Sequence, residues 1–241
     1  MKFVIFGGGG KVARHFTRIA SGQGHKVVCV VRNDSHHSDL ESMGGKPSIL
    51  SIEDATVPQI TDLLSDHKPD AVIFSAGAGG KGDPSRTTKV DFEGAVKVFD
   101  AMEAANVRRL LYVGAIDVRD RDKGYPKHYT QESKDSSDKT WNAIGRYMDA
   151  KYKAEVELHS RKALQYTVLR PGGLTMEPAG KCQMGLCQTG KTSRELVAKA
   201  LLACANEPKS EGLTIDLMDG DGELEAELSK VVEQRIDAWE E

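Results

Sequence analysis

Apolar residues in this chain fall in short runs separated by longer stretches of helical period. Residues 2–6 form a buried-type strand, four apolar side chains in succession after a single lysine. Residues 11–21 follow with Val12, His15, Phe16 and Ile19 on one side, the spacing of an amphipathic helix, and Gly22 stops it. A second strand covers 26–31, a short helical turn 40–44 and a weaker strand 48–52. Residues 56–67 are a helix with Ile60, Leu63 and Leu64 inward, and 71–75 are another strand. Residues 89–105 carry Phe92, Val96, Phe99 and Met102 along one helical stripe. The same alternation then gives strand 110–113, helix 140–162, strand 166–169, helix 193–206 and strand 213–217. A closing acidic helix over 224–239 turns Leu224, Leu228, Val231 and Ile236 inward.

Strands and helices alternating at this spacing imply right-handed crossovers and a largely parallel sheet covered on both faces. The expected fold is α/β, a Rossmann-like doubly wound sheet with a small C-terminal substrate-side extension, in a single domain over 1–241. Two stretches break the rhythm. Residues 117–139 are polar, with charges of both signs, and read as a long, partly disordered loop; residues 172–192 are a second irregular segment. Long loops in compact domains are often functional, so both are candidate lids over a site, the first equally a tolerated surface insertion.

Composition narrows the class. The 33 basic and 36 acidic side chains leave a net charge of −3, which speaks against a broad grip on nucleic acid or an anionic membrane. No apolar run approaches the roughly 18 residues a bilayer span needs. The first apolar run is too short for a signal-peptide core, and four scattered cysteines read as reduced thiols, so a cytoplasmic protein is expected. A small-molecule substrate and a monomer or homodimer complete that picture. Glycine is in surplus: 24 residues occur where average usage would give about 17. Ten of them, Gly7 to Gly10, Gly77, Gly79, Gly80, Gly82, Gly172 and Gly173, cluster at three strand ends.

Gly7-Gly8-Gly9-Gly10-Lys11-Val12-Ala13 follows the first strand and opens the first helix. A dinucleotide pyrophosphate needs backbone N–H groups at close range and the positive end of a helix, and a Cβ in the turn would block it. Gly7, Gly9, Gly10, Lys11 and Val12 are therefore candidate cofactor contacts. The second strand ends in Val31-Arg32-Asn33-Asp34-Ser35. An acidic residue at that tip would accept both ribose hydroxyls of NAD(H), whereas a guanidinium suits a 2′-phosphate. Arg32 with Ser35 thus favours NADP(H) over NAD(H); the alternative leaves Arg32 in solvent and Asp34 on the ribose. Ser51 and Ile52, then Ser75, Ala76 and Gly77, then Pro171 and Gly172, lie at further strand ends facing the same crevice.

Taken together, these residues resemble the short-chain dehydrogenase/reductase superfamily in its atypical, NmrA-like NAD(P)H-binding branch. The landmarks are Phe74-Ser-Ala-Gly-Ala-Gly-Gly-Lys81, Val90-Asp-Phe-Glu-Gly-Ala95, Val107 to Val113, Tyr147-x-x-x-Lys151, Tyr166 to Leu174 and Ser193-Arg194. On a helix Tyr147 and Lys151 lie one turn apart on one face. The ammonium would lower the tyrosine pKa and let Tyr147 exchange a proton with a carbonyl oxygen as hydride is transferred. The resemblance implies that Lys151 also binds the nicotinamide ribose. It further implies a serine at the end of the fifth strand, where Gly114 stands, 33 residues before Tyr147. Losing one donor to an oxyanion costs roughly 3–4 kcal/mol. Ser133, Ser136 or Ser137 from the polar stretch are possible substitutes.

The expected activity is an NADP(H)-dependent oxidoreductase acting on a small carbonyl or alcohol compound; the alternative is a non-catalytic NAD(P)-binding regulator or redox sensor. Epimerase or dehydratase chemistry is disfavoured by a C-terminal part short for a nucleotide-sugar lobe. Cys182 and Cys187 have no second Cys/His pair nearby, so no metal site is expected. Cys29 and Cys204 read as core thiols, and His36-His37 as solvated surface.

Overall fold

The computed structural model of the chain describes residues 1–79 and 85–239. Gly80, Lys81 and Gly82 of the expected glycine-rich strand end lie outside the described residues. The chain runs through β1 (Lys2–Phe6), α1 (Lys11–Gly22), β2 (Lys26–Val31), α2 (His37–Ser42), β3 (Gly45–Ile49), α3 (Val57–His67) and β4 (Ala71–Phe74). After α4 (Ser85–Thr87), a π-helical turn over Thr88–Glu93 leads into α5 (Gly94–Ala104) and β5 (Arg109–Val113). Then come α6 (Gln131–Ser160), β6 (Gln165–Pro171), β7 (Gly173–Thr175), β8 (Cys182–Gly185), β9 (Lys191–Ser193), α7 (Arg194–Asn206), β10 (Leu213–Asp219) and α8 (Leu224–Gln234).

The main sheet has the order β3-β2-β1-β4-β5-β6-β10-β8. Every pairing in it is parallel except β10 with β8. It is the Rossmann-like architecture the alternation implies. The direction in which successive strands are added reverses at β1, whose parallel partners are β2 on one side and β4 on the other. That switch opens a crevice at the carboxyl ends of the strands, where ligands bind in such sheets. Period two in β1 feeds both cores: Phe3 and Ile5 pack with α1, α7 and α8, while Val4 and Phe6 pack with α3, α5 and α6.

Four of the differences from the sequence reading bear on the site or its surroundings. Strand β3 spans Gly45–Ile49 rather than 48–52, because Gly45 admits the close approach of Thr17 and Cys29 that a Cβ would block. Helix α6 begins at Gln131, not 140, so residues 131–139 are helical and not loop. Thr130 caps it by accepting the Ser133 N–H at 3.3 Å, and its inward face there is polar, invisible to apolar periodicity. The segment 172–192 contains three short strands, β8 lying antiparallel at the sheet edge. Helix α8 stops at Gln234 with Arg235 left-handed at φ 52°, and Trp239 folds back to stack on His159 at 3.8 Å.

Candidate cofactor cleft and active site

The turn after β1 is built to be bare. Gly7 has φ +81°, and a Cβ there would lie 2.6 Å from the Ala76 Cα and 2.7 Å from the Ser75 oxygen. A Cβ on Gly8 would meet the Cys29 Cα at 2.8 Å, and one on Gly9 would meet His36 Cδ2 at 2.6 Å. Gly10 caps α1 without a side-chain acceptor, so the first N–H groups of the helix face outward with the positive end of its dipole. A cradle without side chains at a helix N-terminus fits a pyrophosphate.

The cradle opens into a cleft of about 500 Å³. Gly7, Gly9, Gly10, Arg32, Ser35, Ser51, Ile52, Ser75, Ala76 and Gly77 all line it. Five sequence candidates do not. Val12 is buried in the core, Lys11 points to solvent, Pro171 is buried, and Gly172 is wedged beneath the Gly190 carbonyl. The fifth is Lys151, 3% exposed and off the wall.

At the β2 tip, Arg32 is exposed, its Nη1 3.9 Å from Glu53 Oε1. Glu53 is itself engaged by Arg86, at 3.0 Å from Nε and 2.6 Å from Nη2, which holds its carboxyl below the usual value. Asp34 is exposed and is not among the residues lining the wall. His36 is not the solvated residue expected from His36-His37. It is half-buried over Gly9, its Nδ1 2.7 Å from Arg14 Nη2.

Behind the cleft, Asp91 of the π-helical turn accepts the Ala78 N–H at 3.0 Å through Oδ2. Its Oδ1 lies 3.6 Å from Lys151 Nζ, which donates to the Val113 carbonyl at 3.0 Å. Burial pushes the Asp91 carboxyl up against the opposing pull of Lys151. Lys151 Nζ lies 5.8 Å from the Tyr147 ring centroid. The expected lowering of the Tyr147 phenol is not what this geometry produces: burial first, then Asp91 and Glu155, push it up. Two of the three serines expected as substitutes for the missing hydroxyl at Gly114 are engaged elsewhere on α6. Ser133 Oγ donates to Gln188 and Ser137 Oγ to Asp117, and the space beside Gly114 belongs to Glu155, whose Oε1 a Cβ would strike.

A model of the NAD(P)H-binding family matches residues 7–208, from the glycine cradle to the end of α7. The chain belongs to that family. Within the NAD(P)H-binding family it is similar to UPF0659 protein C216.03 of Schizosaccharomyces pombe, 45% identical over 90% of each chain. It is also similar to a Bacillus subtilis protein named uncharacterized sugar epimerase YhfK, 28% identical over 96% of this chain and 100% of that one. A solved structure from Bacillus halodurans, described as a candidate NAD-dependent epimerase/dehydratase, superposes with a TM-score of 0.79. It is 28% identical and covers 97% of this chain and 99% of its own.

This NAD(P)H-binding protein has parts the sequence did not reveal. The segments after β5 and β6 are clasped together through Gln188, whose Oε1 accepts from Thr130 N at 3.0 Å and Ser133 Oγ at 2.6 Å. Its Nε2 donates to the His128 carbonyl at 2.7 Å. Glu53, Arg86, His36 and Arg14 were missed because charged side chains in polar turns carry no periodic signal. For Arg14 alone a cue existed, its place one turn into the helix that opens at the cradle. All four cysteines are buried thiols. Among the described residues no helix is long and apolar enough to cross a membrane.

Proposed function

We propose that the chain is an NADP(H)-dependent oxidoreductase acting on a small carbonyl or alcohol compound. One observation carries this reading: Asp91 binds the cleft wall at Ala78 and faces Lys151, one turn from Tyr147. That bridge ties the Tyr147-x-x-x-Lys151 pair to the cofactor cleft. On an ordinary amphipathic helix the pair would face solvent.

Bound nicotinamide would supply or accept the hydride. The glycine cradle and the start of α1 hold the pyrophosphate, Ser75 to Gly77 line its path, and Arg32 with Ser35 takes the 2′-phosphate. Glu53, the acidic side chain on that wall, is occupied by Arg86. Tyr147 exchanges the proton with the substrate oxygen. Lys151 holds Asp91 and the end of β5 in place.

The Bacillus relative named a sugar epimerase is matched along its whole length. A short C-terminal part therefore does not separate the two chemistries, and sugar nucleotides belong in the substrate panel. NADPH should bind at least tenfold more tightly than NADH in fluorescence titrations. Equal affinities would remove the role given to Arg32. Single-turnover NADPH oxidation against aldehydes, ketones and enones should be lost in Tyr147→Phe. Isomerisation of a sugar nucleotide without net NADPH consumption would replace the oxidoreductase reading with an epimerase.

A further inference from the structure

Gly114 is not merely a position lacking a serine. A Cβ there would collide with Glu155 Oε1 and approach Arg170 Cγ at 3.2 Å and Val168 Cγ1 at 3.4 Å. Glu155 is fully buried, two turns along α6 from Tyr147 and one from Lys151. Its Oε2 accepts from Arg170 Nε at 2.9 Å and Nη2 at 2.5 Å. Its Oε1 is buried with no hydrogen-bond partner among the described residues, as are Asp91 Oδ1 and the Tyr112 hydroxyl. Lys151 thus lies 3.6 Å from the buried Asp91 of the π-helical turn and one helical turn before the buried Glu155 on its own helix.

We infer that Glu155 is a positioning residue occupying the seat the superfamily gives to serine, and that with Asp91 it keeps Tyr147 a protonated donor, setting the site for carbonyl reduction. This rests on the oxidoreductase reading above. The charges around Tyr147 support it. Burial first, then Asp91 and Glu155, disfavour its phenolate. Arg170 holds Glu155 from β6, in register with Asp216 of the neighbouring β10, so the carboxylate is anchored by its Oε2 and stays beside Gly114. In reduction bound nicotinamide would supply the hydride to the carbonyl carbon, Tyr147 would give its phenol proton to the oxygen, and the phenolate would recover a proton from solvent. In the reverse direction the site would have to begin from the phenolate that its carboxylates oppose.

The test is a tyrosinate absorbance titration of the full chain, taken as the difference between each protein and its Tyr147→Phe counterpart. Glu155→Gln keeps volume and removes the charge, and should lower the Tyr147 midpoint by about one pH unit. The alkaline limb of NADPH-driven reduction should move the same way. Gly114→Ala displaces the carboxylate with no substitution on α6, and should shift the midpoint in the same direction. Thermal melts and NADPH affinity confirm that each variant is folded. A Tyr147 midpoint unmoved in both folded variants overturns the inference. Intact NADPH oxidation in Tyr147→Phe would overturn the donor role of Tyr147 and the inference with it, whereas a wild type that oxidises no NADPH with any carbonyl compound would instead overturn the oxidoreductase reading, leaving the titration to stand by itself.

Discussion

Two glycines of the cradle should respond differently to the same methyl group. At Gly7 an alanine meets main chain: the Ala76 Cα at 2.6 Å and its nitrogen at 2.7 Å. The backbone is also left-handed there, with φ +81°. The left-handed conformation costs an L-residue about 1–2 kcal/mol, and overpacking against a β-strand end about 1–3 kcal/mol. Gly7→Ala should therefore lose roughly 3 kcal/mol, which for a chain of this size lowers Tm by about 6–12 °C. At Gly9 the obstacle is the ring of His36, at 2.6 Å, and that ring can turn away. Gly9→Ala should cost less than about 1 kcal/mol in stability, since the neighbour is a mobile side chain. Its displaced imidazole enters the cleft, so NADPH affinity should fall about tenfold, or about 1.4 kcal/mol. Adding His36→Ala should restore the affinity. Urea unfolding and fluorescence titration measure both quantities. A Gly7→Ala protein that melts like the wild type would refute the close packing of the turn on β4. A Gly9→Ala defect unrelieved by His36→Ala would refute the position of the ring.

Arg32→Ala should reduce NADPH affinity at least tenfold while leaving NADH affinity within twofold, checked by parallel titrations. Burial raises the Asp216 carboxyl from 3.8 to about 7, so between those values the folded state holds the extra proton and stability falls as pH rises. Urea midpoints of wild type relative to Asp216→Asn should decline across that window. Burial lowers His159 from 6.5 to about 4, so the unfolded chain takes the proton first and stability is lost as pH falls through that range. His159→Gln should flatten that acid-side loss, in the sense opposite to Asp216→Asn. Gln188→Ala removes the clasp between the two segments, and amide exchange over 118–130 should accelerate at least tenfold.

The order of elements, the parallel sheet and the glycine cradle were legible because each leaves a local signature: period two or 3.6 in apolar residues, or a run of glycines after a strand. Ten of the candidate cofactor residues line the cleft for the same reason. What escaped depends on contacts distant in sequence. Ser133 and Ser137 face inward to Gln188 and Asp117, so the first turns of α6 bury hydroxyls rather than leucines and look like loop. Lys151 and Tyr147 could be placed on one helical face. Their environment could not, because it is set by Asp91, 60 residues earlier, and by Arg170 across the sheet. His36 looked solvated because nothing local announces the ring packed over Gly9.

The crowding of Gly114 by Glu155 also constrains how this sequence can change. A serine at 114 and a glutamate at 155 claim the same space, so neither substitution can be judged alone. Gly114→Ser in the present background meets a buried carboxylate already gripped by Arg170, and Glu155→Ala alone strands that guanidinium in the interior. Only the paired exchange, with a neutral partner for Arg170, would give a serine room to act. The two positions form an epistatic unit, and the effect of a substitution at either depends on the residue at the other.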